Sequence, residues 1–163
     1  MNNAGSYLDW LQTCASSDEA HIASLLQDAD FSASQNEFGE AVVDAWSLPE
    51  WPERILGRDS WIQLFRTAGF IARPTREPPS EPVTIYRGSS WGRRRGMAWT
   101  SEVHRAQKFA DRWTASGSGS GLVFETTIHP EFILAMIDDR GEAEVVVDPS
   151  GLPPIGRSSV VHR

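Results

Sequence analysis

The sequence predicts an α+β fold, helices first and a mixed, mostly antiparallel sheet after, on three observations. Apolar residues in roughly the first seventy positions recur at helical spacing. A connector then interrupts the chain at residues 73–82, with Pro74, Pro78, Pro79 and Pro82 among charged side chains. Beyond it, short alternating or β-branched runs follow one another with a single helical stretch among them.

Each element has a local reason. Tyr7, Leu8 and Leu11 share one helical stripe, and Ile22, Leu25 and Leu26 share another, behind a cap at Ser17 or Asp18 with Glu19 in the first turn. Phe38 to Trp46 is a third helix, and Pro49 and Pro52 break the pattern after it. Asp59 or Ser60 caps a further helix with Trp61, Ile62, Leu64 and Phe65 on its apolar face, stopped near Gly69. Strands are expected at Val83–Tyr86, Met97–Thr100, Leu122–Ile128, Ile133–Ile137 and Glu142–Val147, with a weak one at Ser159–Val161. The interrupting helix is Val103–Trp113, with Ala106, Phe109, Ala110 and Trp113 inward. The run Ser116–Gly121, SGSGSG, reads as a flexible loop. The organisation is therefore a helical region over 1–72, a connector over 73–82 and a sheet-rich part over 83–163, expected to form one compact unit.

Composition narrows the function classes. With 163 residues, 40% of them hydrophobic, the chain is long enough to fold without a metal or disulfide staple. Cys14 is the single cysteine and cannot form an internal bridge. The start, MNNAGSYLDW, has no basic segment followed by an apolar run, and no eighteen apolar residues occur in succession, so neither a signal peptide nor a membrane span is expected and the expected compartment is the cytoplasm. A formal net charge of −7 disfavours nonspecific binding to nucleic acid and favours a protein or small-molecule partner. Seven Trp and seven Phe are either core or ligand platforms.

Several residues can carry chemistry. Arg87 ends the run VTIYR on the face of Val83 and Ile85, so its guanidinium either meets an anion inside or reaches water or a structural carboxylate at the strand end. Gly88 after it allows a sharp turn or a close approach. Glu142 and Glu144, two apart in a predicted strand, project from one face; two carboxylates with separate roles suit glycosidic cleavage through an oxocarbenium-like state, and the plain alternative is a pair of surface glutamates. Thr100 either orients a carboxylate or caps the helix after it, a task Ser101 can also perform. Trp99 alternates to the opposite face, as packing. Arg93 to Arg95, beside Trp91, either touch phosphate or an acidic partner or form a solvated loop. The string DEAH at Asp18–His21 lacks a phosphate-binding loop anywhere in the chain, and SGSGSG follows a helix where a dinucleotide fingerprint follows a strand. The scattered His21, His104, His129 and His162 give no zinc spacing, so no metal is expected.

Taken in order, YRG at Tyr86–Gly88, GMAWTSEVHRAQKFA at Gly96–Ala110 and RGEAEVVVDP at Arg140–Pro149 resemble the arginine, serine and glutamate blocks of the mono-ADP-ribosyltransferases, in particular the small bacterial and phage members. The resemblance covers about half of the chain, from the connector onward, and implies an ADP-ribosyltransferase-like core with NAD as substrate. It implies that Arg87 holds the NAD phosphates, that Gly88 offers its backbone to the nicotinamide amide, and that Thr100, with Trp99 and Ser101 beside it, shapes the pocket. Glu144 is implied to bond the ribose 2′-hydroxyl and stabilise the charge that develops as nicotinamide leaves, and Glu142 to orient or deprotonate an arginine acceptor. Residues 113–121 fall where the family keeps a mobile NAD-covering segment. Ala98 stands where the family has its first serine, the one that bonds the catalytic glutamate.

The expected function is thus an arginine-directed mono-ADP-ribosyltransferase acting on a protein, in the setting of a toxin, a phage effector or a regulator. Its rivals are an NAD glycohydrolase, with water as acceptor, and a catalytically silent module that binds NAD, ADP-ribose or a protein in the same cleft. In each case the helical first half is the expected surface for a target or neutralising protein.

Overall fold

The computed structural model describes residues 35–160; the helices expected between Tyr7 and Leu26, Cys14, the Asp18–His21 string and Val161 lie outside the described residues. The chain divides into two compact units, Met1–Ile71 and Ala72–Arg163. Described helices come first and a seven-stranded sheet after, an α+β fold.

Three described helices belong to the first unit: α1 (Gln35–Ser47), α2 (Pro52–Ile55) and α3 (Arg58–Ala68). The single turn α2 was not expected from a segment with two prolines, but Pro52 opens it, where a missing N–H costs nothing. Helix α3 begins one residue before the expected caps, after Gly57 at φ 82°, and no side chain caps it. Gly69, at φ 80°, closes it through a bond from its N–H to the Phe65 carbonyl. The core of this unit is aromatic. Trp61 is fully buried, meets Trp46 edge to face at 5.2 Å, and donates its indole N–H to the Pro52 carbonyl at 2.8 Å. Trp61→Phe removes that donor and part of the buried ring volume, leaving the Pro52 carbonyl only the Leu56 N–H at 3.4 Å; thermal or urea unfolding is expected to show a loss of about 1–3 kcal/mol.

The sheet consists of β1 (Ile71–Arg73), β2 (Val83–Ser89), β3 (Ala98–Thr100), β4 (Leu122–Ile128), β5 (Ile133–Ile137), β6 (Glu144–Val147) and β7 (Gly156–Arg157), in the order β1-β5-β6-β3-β2-β4-β7. The pairs β2–β3, β2–β4, β3–β6, β4–β7 and β5–β6 are antiparallel. Helix α4 (Val103–Ala115) lies on the face of the central strands, its Ala106 and Ala110 packed with Val123 and Tyr86. The alanine stripe lets the helix come so close that two glycines are required beneath it. At Gly88 an added Cβ falls 2.5 Å from the Ala110 nitrogen and 2.8 Å from the Phe109 Cβ, and at Gly121 it falls 2.8 Å from the Ala110 Cα. The opposite side of the strands carries the fully buried Ile85, Phe124 and Val145.

Three strand expectations need correction. Residues 158–160 form no strand; the edge partner of β4 is instead β7 at Gly156–Arg157. Arg73, assigned to the connector, ends β1, held by a bond from the Asp138 N–H to its carbonyl and by its guanidinium on Asp139 at 2.9 Å. The strand expected from Glu142 starts at Glu144, because Gly141 and Ala143 have φ of 64° and 46° and keep the chain out of the extended region.

Candidate active site

The three sequence blocks lie on adjacent strands at one level of the sheet. Tyr86 of β2 pairs with Thr100 of β3, and Thr100 pairs with Glu144 of β6, so the three form one cross-strand row. Directly opposed residues of an antiparallel ladder share a face, which sets Thr100 and Glu144 side by side. On the other flank of Glu144 stands Ile137 of β5.

Thr100 acts as a clasp. Nearly fully buried at 3% exposure, it donates its hydroxyl to the Glu142 carbonyl at 2.8 Å and accepts the Glu102 N–H at 3.1 Å. One hydroxyl thereby ties the turn before β6 to the entry of α4. Neither Thr100 nor Ser101 is the helix cap; Glu102 holds that position without a side-chain bond. Ser101 is exposed and joins the same turn through its backbone, its N–H donating to the Ala143 carbonyl at 3.0 Å.

Glu142 does not share a strand face with Glu144. It sits in the 141–143 turn, its carboxylate 4.0 Å from the Arg140 guanidinium. The second carboxylate of the row is Glu125 of β4, opposite Tyr86, which accepts the Ser158 hydroxyl at 2.8 Å. Alternation alone places Glu142 beside Glu144; the left-handed residues that prevent this follow from Gly141 and from Asp138, whose carboxylate accepts the Ala143 N–H at 3.0 Å. The sequence signal for this turn is Asp138 itself, an Asp shortly before a glycine.

Arg87 follows Tyr86 along β2, on the side of the pleat that carries Ile85 and Ser89. Its Nε donates to the Arg93 carbonyl at 2.9 Å and its Nη1 to the Ala98 carbonyl. The guanidinium lies against Gly96, where an added Cβ would fall 2.5 Å from Nη2. A half-buried arginine braced on main-chain oxygens keeps its charge and its fork in a fixed orientation. Trp99 is packing, 3% exposed, with its indole N–H donated to the Gly96 carbonyl at 2.8 Å. Gly88 serves the approach of α4 described above.

The cluster Arg93–Arg95 divides by task. Arg95 donates to the carbonyls of Pro153 at 3.1 Å, Leu152 at 2.7 Å and Pro149 at 3.5 Å, fastening its turn to the segment after β6. Arg94 lies over Trp91, 4.2 Å from the ring centre, and Arg93 lies over Trp113 at 5.1 Å. Trp91 in turn packs on Phe124 at 5.8 Å. In the loop after α4, Gly117 and Gly119 are at φ 71° and 114°, and the Thr114 hydroxyl accepts the Gly121 N–H at 2.9 Å, returning the chain to the sheet.

Among the described residues no group of three or more His, Cys, Asp or Glu stands close enough to hold a metal ion, and no helix is long and apolar enough to cross a membrane. No protein-family model, no curated protein and no solved structure matches the chain.

Proposed function

We propose that this protein is a mono-ADP-ribosyltransferase that transfers ADP-ribose from NAD to a protein side chain, arginine by the resemblance of its Glu-x-Glu block, and releases nicotinamide. The observation that supports the reading is the row Tyr86–Thr100–Glu144: residues from blocks up to 58 positions apart stand on neighbouring strands, while Arg87, next along β2, has its side chain on the opposite side of the pleat. In the reaction the bond between ribose C1′ and the nicotinamide nitrogen breaks, and its electron pair leaves with nicotinamide. The acceptor nitrogen then attacks C1′ and loses a proton. Glu144 stabilises the positive charge that develops on the ribose, and Arg87, its Nε and Nη1 bonded to the Arg93 and Ala98 carbonyls, supplies fixed positive charge for the diphosphate. Glu142, on its turn, accepts the proton of the incoming nitrogen.

The test is incubation with labelled NAD and a cell lysate, comparing the unaltered protein with Glu144→Gln and Glu142→Gln. Label on protein that disappears in both variants supports transfer. Nicotinamide release without protein label supports hydrolysis, and NAD binding without turnover in the unaltered protein overturns both enzyme readings.

Ala98 favours the silent binding module as a second reading. It lies two residues before Thr100 on the same strand face, opposite Val146, and carries no hydroxyl. In the transferase reading, Ala98→Ser restores a hydrogen bond to a charged group, worth about 1.5–3 kcal/mol. Nicotinamide release is then expected to accelerate roughly ten- to hundredfold. Release that stays at background in both proteins, with NAD still bound, favours the silent module.

A further inference from the structure

A second surface of the Ala72–Arg163 unit is built from arginines laid on aromatic rings. Arg94 covers Trp91 at 4.2 Å, Arg93 covers Trp113 at 5.1 Å and Arg112 covers Phe109 at 4.9 Å. Arg93 and Arg112 are exposed, and Trp91 is 53% exposed beside them. The Arg93–Trp113 pair joins the turn around residues 91–95 to the C-terminal half of α4; the Arg94–Trp91 pair lies within the turn and the Arg112–Phe109 pair within the helix.

The stacking settles what chemistry such a surface presents. An arginine over a ring is held flat by cation–π attraction, with its N–H groups in the plane of the guanidinium; Arg94 gives one of its own, Nη1, to the Trp91 carbonyl at 2.7 Å. Those in-plane donors match the two oxygens of a carboxylate. The rings, by contrast, each carry a guanidinium on one face, so they are poor platforms for nucleobases, whose sequence-tolerant binding needs open aromatic faces. The nearest acid on the helix, Asp111, accepts the Gln107 amide at 2.7 Å. The overall charge of −7 does not describe this region, because no Lys or Arg precedes Arg54 and the acidic excess is concentrated there.

We infer that this surface docks an acidic segment of a partner protein, held by carboxylates on Arg93, Arg94 and Arg112. This rests on the proposed transferase reading in one respect: the partner is the acceptor protein. The Arg93 carbonyl accepts a bond from Arg87, so a segment seated on the turn lies beside the residue proposed to hold NAD. Acceptor choice is then set partly by charge at a distance from the modified side chain.

The probe is a fluorescently labelled glutamate peptide of about ten residues, titrated against the whole chain without NAD and followed by anisotropy, with a single-stranded oligouridylate of similar length as comparison. Binding of the peptide is expected to weaken as salt rises, and Arg93→Glu/Arg112→Glu is expected to weaken it by about tenfold or more. Arg93→Lys/Arg112→Lys, which keeps the charges and loses the planar forks, is expected to lie between the two proteins. It also serves as the readout if the charge reversal fails to fold. Peptide binding that neither double variant alters, or an oligouridylate that binds more tightly than the peptide, overturns the inference. Because the titration contains no NAD, a protein that releases nicotinamide yet ignores the peptide loses the docking surface and keeps the transferase reading. A protein that binds the peptide yet releases no nicotinamide keeps the docking surface and loses the transferase reading, and with it the assignment of the partner as acceptor.

Discussion

Glu144→Gln is expected to lower nicotinamide release about a thousandfold, the scale on which removing a group aimed at transition-state charge acts in other enzymes, or about 4 kcal/mol. The cause is specific to the side chain's charge. Glutamine keeps the shape of the residue and the backbone pairings of Glu144 with Thr100 and Ile137, so the strand remains. It cannot supply the negative charge that an oxocarbenium-like ribose requires. Circular dichroism and a melting curve on the same sample separate loss of chemistry from loss of fold. A variant that is folded and releases nicotinamide at the unaltered rate removes Glu144 from the mechanism.

Glu142→Gln is expected to differ in kind. Glu144 opens a strand between two neighbours, whereas Glu142 sits on a turn secured at its carbonyl by Thr100 and through Ala143 by Asp138. The main chain at Glu142 is fixed while its carboxylate extends from a turn, which suits a group that meets an incoming acceptor. Protein labelling is therefore expected to fall while nicotinamide release persists with water as acceptor. Equal loss of both signals assigns Glu142 to cleavage itself.

The difference between the two glutamates marks what the sequence discloses and what it conceals. Runs with a clear period or dense β-branching, Leu122–Ile128 and Ile133–Ile137, coincide with β4 and β5, because burial on a pleated face imposes that pattern. Elements without such a signature escaped. Gly156–Arg157 pairs with β4 although it carries no apolar residue, and Ile71–Arg73 is too short to show alternation. Spacing alone puts Glu142 and Glu144 on one face, and two left-handed residues cancel that arithmetic. The companion of Glu144 in the row, Glu125, lies on a strand that was foreseen, but its place depends on register across four strands, which no local pattern encodes. The same holds for Arg95: within a run of three arginines, only the fold reveals which one fastens a turn and which two lie on rings.

Gly88→Ala is expected to produce the largest loss of stability. Gly88 belongs to the YRG block, and the resemblance assigns its backbone to the nicotinamide amide; in the fold its missing side chain is what lets α4 seat on β2. A methyl group there would press into the Ala106 carbonyl oxygen and lie 2.5 Å from the Ala110 nitrogen and 2.8 Å from the Phe109 Cβ. Two of these three contacts are helix backbone, which cannot rotate away as a flexible side chain can. The helix has to lift as a body, opening its alanine stripe from Val123 and Tyr86. Overpacking of this kind is expected to cost about 3 kcal/mol, the upper part of the usual range. A loss of that size corresponds to a fall in melting temperature of roughly 10 °C for a chain of this length. Gly92→Ala is the matched control: no atom lies within 4 Å of its added methyl, so its melting temperature is expected to stay within a degree or two, on the order of 0.5 kcal/mol. The lift also reaches the site, because Thr100 holds the Glu102 N–H at the entry of α4 and the Glu142 carbonyl on the other side. Gly88→Ala protein assayed well below its melting temperature is therefore expected to release nicotinamide more slowly as well. Full activity and full stability together in that variant overturn the packing role of Gly88.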